Sequence, residues 1–133
     1  MRARVWVADK ARPARPSEAE KQKIIAACDA FIQDVLKPRF LPQIKPTKWN
    51  YPIDIHGVWA GGRYRFAQRY RSGMKDNLGE EFDAPFARID YVGLGRFDIY
   101  WMRHTGKWWK LYTGVTLAEA LKILEDDGIL HPL

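Results

Sequence analysis

The sequence holds a single cysteine, Cys28, so no internal disulfide can form and a reducing cytoplasm is the expected setting. No apolar run approaches the roughly 20 residues that a membrane-spanning helix needs, so no membrane partner is expected. Near the start of the chain only Val5-Trp6-Val7-Ala8 is apolar, too short for the core of a signal peptide. The histidines His56, His104 and His131 are scattered, and no Cys/His pair has the spacing that prepares a zinc site. Gly61-Gly62 and Gly93-Leu94-Gly95 match no phosphate-binding loop and read as hairpin turns. There are no repeats and no low-complexity linker. Neither a metal nor a cofactor is expected from this inventory.

Aromatic residues and positive charge are plentiful by contrast. Six tryptophans, six phenylalanines and six tyrosines in 133 residues allow one domain with an aromatic core. Residues 1–75 carry sixteen Lys/Arg against six Asp/Glu, net +10, and residues 76–133 carry six against ten, net −4. Such asymmetry suits a polyanionic partner, and it equally suits two halves that neutralise each other on folding.

Residues 1–16 form a basic arm containing Pro13 and Pro16, in which Val5-Trp6-Val7 suits a short edge strand. The domain proper is expected over residues 17–133. Ser17 and Glu20 make a capping box, and Ile24, Cys28, Phe31 and Val35 recur at helical spacing up to about Lys37, where Pro38 should stop propagation. Cys28 within that stripe reads as a small buried hydrophobe. A proline-rich crossing follows over residues 38–52, then a short strand at Ile53–Ile55 and a loop over residues 57–62. Arg63–Arg71 alternates, with Tyr64, Phe66 and Tyr70 on one face and Arg63, Arg65, Arg69 and Arg71 on the other. Residues 73–84 read as an acidic loop and Phe86–Val92 as a third strand with Ala87, Ile89 and Tyr91 facing the core. Thr116 and Glu119 make a second capping box, opening a helix that should bury Leu117, Leu121 and Leu124 and end at Gly128.

The densest stretch is Arg96–Tyr112. Two β-prone runs flank His104-Thr105-Gly106, which suits a type I turn closed by a left-handed glycine. That turn places Trp101 opposite Trp109, Met102 opposite Trp108, Tyr100 opposite Lys110, Ile99 opposite Leu111 and Asp98 opposite Tyr112. Trp101 and Trp109 are expected in the core under the helices. The order of helix, five strands and helix gives the fold class: α+β, a five-stranded antiparallel meander flanked by an N-terminal and a C-terminal helix.

The Phe31 helix, the Arg63–Arg71 strand, Ala87-Arg88-Ile89, Ile99-Tyr100-Trp101-Met102-Arg103, Gly106-Lys107-Trp108, Tyr112 and a leucine-rich helix ending in Asp-Gly form one pattern from about Ile24 to Gly128. It resembles a small bacterial family, domain of unknown function number three thousand and twenty-four. The resemblance implies the fold and carries no activity.

Catalytic arrangements are thin. Asp54 and His56 alternate onto one strand face, but no nucleophile is placed beside them by sequence, and an enzyme is the minority reading. Glu80, Glu81 and Asp83 read as a solvated group neutralising nearby arginines rather than a cation site. The outward sheet face says more. Its four arginines span about 26 Å at strand rise. Arg88 and Arg96 lie beside them, offset by Asp54, Asp90 and Asp98, and Tyr100, Met102, Trp108 and Tyr112 follow on the same face. A basic strip next to flat rings is how many sheets hold single-stranded nucleic acid. The site expected for nucleic acid or another polyanion is therefore Arg63, Arg65, Arg69, Arg71, Tyr100 and Trp108. The competing readings are a cross-strand charge ladder and a protein-interaction or homodimer face.

Overall fold

Alternation along Arg63–Ser72, broken only where Ala67 is also buried, gives one strand two jobs, and the rest of the domain is arranged about its two faces. The computed structural model describes residues 15–132. Helix α1 (Glu18–Phe31) leads through a π-helical turn at Ile32–Leu36 into the short helix α2 (Lys37–Phe40). Strands β1 (Asn50–Ala60), β2 (Arg63–Ser72), β3 (Glu81–Gly93), β4 (Arg96–Met102) and β5 (Trp108–Thr116) follow, then helix α3 (Leu117–Asp126) and a 3-10 turn at Gly128–Leu130. The strands make one antiparallel sheet in the order β1-β2-β3-β4-β5, the expected meander. Helices α1 and α3 cover one face, where Ile24, Cys28, Phe31, Ala120 and Leu124 pack against Tyr64, Phe66, Ile89 and Ile99. The basic arm, including Val5-Trp6-Val7, lies outside the described residues.

Both capping boxes form as expected, at Ser17/Glu20 and at Thr116/Glu119. Several boundaries differ from the sequence reading. Pro38 does not end the first helix, which continues to Phe40. Just before it the Lys37 N–H bonds to Ile32 O, five residues back. That wider turn relieves the clash between the proline ring and the preceding turn. Helix α3 stops at Asp126, and Gly128 opens a 3-10 turn under the Asp127 side chain, which accepts from Ile129 N–H. Leu117 and Leu121 are half-buried, and Ala120 and Leu124 make the buried stripe.

Residues 57–60, expected in a loop, continue β1, and only Gly61-Gly62 turn, both with positive φ as a two-residue hairpin requires. Gly57 is mid-strand because the Tyr64 ring lies across it: a Cβ there would stand 2.2 Å from that ring. The Tyr64 hydroxyl donates to Asp29 on α1, and Tyr91 donates to Glu20 at 3.0 Å, so two tyrosines tie the sheet to one helix. Glu81–Ala84, placed in the acidic loop by sequence, belong to β3, leaving a shorter connection after Ser72. A bulge at Phe86 interrupts β3 beside Pro85, which has no N–H to give to a ladder.

The hairpin pairs Trp101 with Trp109, Met102 with Trp108 and Tyr100 with Lys110, as expected. Gly106 takes the left-handed conformation, at φ 81°. Beyond Tyr100 the register departs, because β5 carries two bulges: Ile99 faces Tyr112 and Phe97 faces Val115. The first bulge turns Tyr112 from the outer face to the helix face, where its hydroxyl donates to Asp127 at 2.7 Å. Trp101 packs against the core, but Trp109 does not enter it and is 51 % exposed. The helices do not extend over this end of the hairpin, and the indole of Trp109 stacks instead against the Arg103 guanidinium at 4.9 Å.

Two outcomes check this arrangement. Phe66→Ala should cost about 3–5 kcal/mol in denaturant unfolding, since Phe66 is fully buried among Phe31, Tyr64 and Phe86. Trp109→Ala should cost under about 1 kcal/mol. The Cys28 thiol is fully buried, and burial, with the Asp29 charge, pushes its pKa up to about 12. It should react with a thiol reagent slowly in native buffer and quickly in denaturant; equal rates would mean that the helix stripe does not cover it.

Candidate functional site

The outer face of the sheet is built by the odd-numbered residues of β2 and their cross-strand partners. Arg63 faces Asp90, Arg65 faces Arg88, Arg69 faces Asp83 and Arg71 faces Glu81 on β3. Register therefore sets most of the arginine strip against carboxylates. Arg69 donates from Nε to Asp83 Oδ1 at 2.9 Å, and Arg71 donates twice to Glu81 Oε2, at 2.9 and 3.1 Å. The Arg69 hydrogen bond holds the Asp83 carboxyl below its ordinary value, with the neighbouring His56 adding to the effect. Arg63 reaches Asp90 at 3.4 Å while staying 55 % exposed. Arg65 is exposed and has no acidic partner among the described residues.

Of the six residues expected to bind a polyanion, the structure brings three into one place. Arg63, Arg65 and Trp108, with Arg88, Val58 and Ala60, line a hollow of about 330 Å³. Tyr100 borders it through Arg88. The Arg88 guanidinium lies 4.1 Å from the Tyr100 ring centroid and 4.9 Å from that of Trp108, and it donates to Asp90 at 2.7 and 3.0 Å. Its side chain is only 11 % exposed. The hollow thus gathers three guanidinium groups, two of which, those of Arg63 and Arg88, share the single carboxylate of Asp90. Asp98, the next carboxylate along, is engaged by Lys110 at 3.2 Å, by the Thr113 hydroxyl at 2.7 Å and by the Gly114 N–H at 3.0 Å. Arg69 and Arg71 stand at the other end of β2, each neutralised, and do not join the group. Arg88 is the residue that the expected set left out. Its pairing with Tyr100 follows from the register of β3 against β4, and no local motif marks it.

The Asp54–His56 pair that strand alternation would allow does not form. Asp54 bonds to Lys37 at 3.0 Å, and His56 Nε2 lies 3.1 Å from Asp83 Oδ1 without the alignment of a hydrogen bond. Among the described residues no group of three or more His, Cys, Asp or Glu side chains could hold a metal ion. Nor is any described helix long and apolar enough to cross a membrane.

The sequence matches the model of a family described as Domain of unknown function (DUF3024), over residues 16–132. The chain belongs to the DUF3024 family. No curated protein and no solved structure matches it. Family membership assigns no reaction, so any role for this DUF3024 chain has to be read from its own side chains.

The ladder makes an acid-stability prediction. The Asp83 carboxyl titrates below its ordinary 3.8 in the folded protein, through the Arg69 hydrogen bond first and His56 second. A depressed carboxyl stabilises the fold above its unfolded value, and that contribution is lost as pH falls through the folded value. Asp83→Asn should therefore be less stable than the parent at pH 6, and the gap should close as pH falls below about 4. Circular dichroism melts across that range check it, and a gap independent of pH would overturn it.

Proposed function

We propose that this protein binds single-stranded nucleic acid, or another polyanion, in the cytoplasm through the hollow formed by Arg63, Arg65, Arg88 and Trp108. The observation that carries the reading is Arg65. It is an exposed guanidinium with no acidic partner among the described residues, set in a hollow where arginines outnumber carboxylates and an indole forms one wall. A phosphate on Arg65 and Arg63 with a base on Trp108 satisfies both halves of that site, since phosphate contacts supply position and ring contacts supply stacking. Arg88 has a different role. Its charge is already engaged by Asp90, and its plane supports the Tyr100 and Trp108 rings. The alternative reading is a protein-interaction or homodimer face, which draws on the same hollow through exposed Val58 and the partly covered Trp108.

The pairing of Arg69 and Arg71 sharpens the test. Four free arginines would give a log–log salt slope near about −2.8 for a single strand, whereas two give about −1.4. Binding of a short oligonucleotide, followed by fluorescence anisotropy across a salt series, should show the shallower slope. Arg65→Ala should remove about half of it, while Arg69→Ala and Arg71→Ala should leave it nearly unchanged. Trp108→Ala should weaken binding by about 1–3 kcal/mol with little change in slope. No binding at low salt, or an Arg65→Ala protein that binds like the parent, would overturn the proposal. Self-association abolished by Trp108→Ala would give the face to the dimer.

A further inference from the structure

The opposite face of the sheet holds a second concavity, far from the arginine hollow and unused by the reading above. Where the helices end, β2, β3 and the tip of the β4–β5 hairpin border a half-open cavity of about 500 Å³ with the 3-10 turn after α3. Pro85, Phe86, Trp101 and Ile129 give it apolar walls, and its size lies within the range of small-molecule sites. The bulge at Phe86 helps to open it, by displacing β3 from the regular ladder beside Pro85. Exposed His104 and Ile129 stand at its rim.

Polar groups converge on this apolar chamber. Gln68 is 3 % exposed and donates to the Tyr70 hydroxyl at 2.6 Å, and both residues line the wall. Arg103 also lines it. The Arg103 Nε is buried with no hydrogen-bond partner, and the guanidinium has no carboxylate partner among the described residues. It rests on two indoles, 4.9 Å from the Trp109 ring centroid and 5.8 Å from that of Trp101. Ring faces hold a cation in place, but they do not supply the acceptor that the buried Nε–H lacks. A guanidinium with its Nε–H buried and unpartnered at the wall of a cavity calls for an anion, and a planar carboxylate matches its fork of donors.

We propose that this cavity binds a small organic carboxylate, with the carboxylate on Arg103 and an apolar body between Pro85, Phe86, Trp101 and Ile129. One cation in an apolar chamber matches a monoanion. A phosphate dianion would bring more charge than Arg103 can neutralise and no surface for the walls to cover. The site lies across the sheet from Arg65, so it stands or falls separately from the polyanion reading.

Naphthalene-2-acetate and its neutral isostere naphthalene-2-acetamide test it, titrated against the full chain by isothermal calorimetry. The acid should bind at one saturable site roughly tenfold or more tighter than the amide, the advantage expected of a charge-assisted hydrogen bond. Arg103→Met should abolish the preference for the acid while leaving the amide's affinity nearly unchanged. Ile129→Trp, at an exposed rim position that the fold does not depend on, should block both. Inorganic phosphate should not displace the acid, and Arg65→Ala should leave its binding intact. Equal affinity for acid and amide, a preference that survives Arg103→Met, displacement by inorganic phosphate, or no saturable binding would each overturn the proposal.

Discussion

Tyr64 is the contact on which the arrangement of layers depends. Its ring is fully buried across Gly57 of the neighbouring strand, packs against Phe66, and ends in a hydroxyl that donates to Asp29 of α1. One side chain therefore sets how closely β1 approaches β2 and where the helix sits above both. Burial and the bond to Asp29 push the phenol's pKa upward, which favours the neutral, donating hydroxyl. The geometry is demanding. A side chain at position 57 would displace the ring, and a ring without its hydroxyl would leave Asp29 without that partner. Tyr91, donating to Glu20, repeats the device near the start of the same helix.

Because Tyr64 and Phe66 must face the helices, the arginines between and beyond them must face away. The charged outer surface is thus a corollary of core packing, and β3 answers it with Glu81, Asp83 and Asp90 in register. Such a ladder is worth little per pair at the surface, yet it decides which charges remain available. Arg69 and Arg71 are consumed by it. At the other end the register puts Arg88 opposite Arg65, and two cations facing each other cannot neutralise one another. Arg88 turns along its own strand to Asp90 and under the Tyr100 and Trp108 rings, which leaves Arg65 alone. The open charge thus arises from a local failure of the ladder.

The two concavities differ in kind. The hollow around Arg65 is cationic and bounded by a single indole, which suits an extended chain crossing the sheet. The cavity at Arg103 is larger and mostly apolar, with one cation at its wall, which suits a compact molecule. Both draw on the same aromatic hairpin. Trp108 and Tyr100 serve one side, Trp101 and Trp109 the other, and the three-residue turn at His104–Gly106 sets which ring falls on which side.

Local chemistry determined much of this from the sequence alone. The capping boxes, the helix stripe with Cys28, the glycine turns, the two faces of β2 and the tip of the β4–β5 hairpin all depend on residues a few positions apart, and all were legible, as was the five-stranded meander. What only the tertiary structure decided came from interruptions and neighbours that spacing cannot express. The bulges in β5 turned Tyr112 to the helix face and broke the expected pairing of Ile99 with Leu111, because one extra residue reverses every side chain after it. The reach of the helices left Trp109 outside, although its alternation with Leu111 marked it as core. Which arginines are free was invisible for the same reason. Arg65 and Arg69 are equivalent in a list of alternating residues, and they differ only in what the next strand sets opposite them: Arg88 for one, Asp83 for the other.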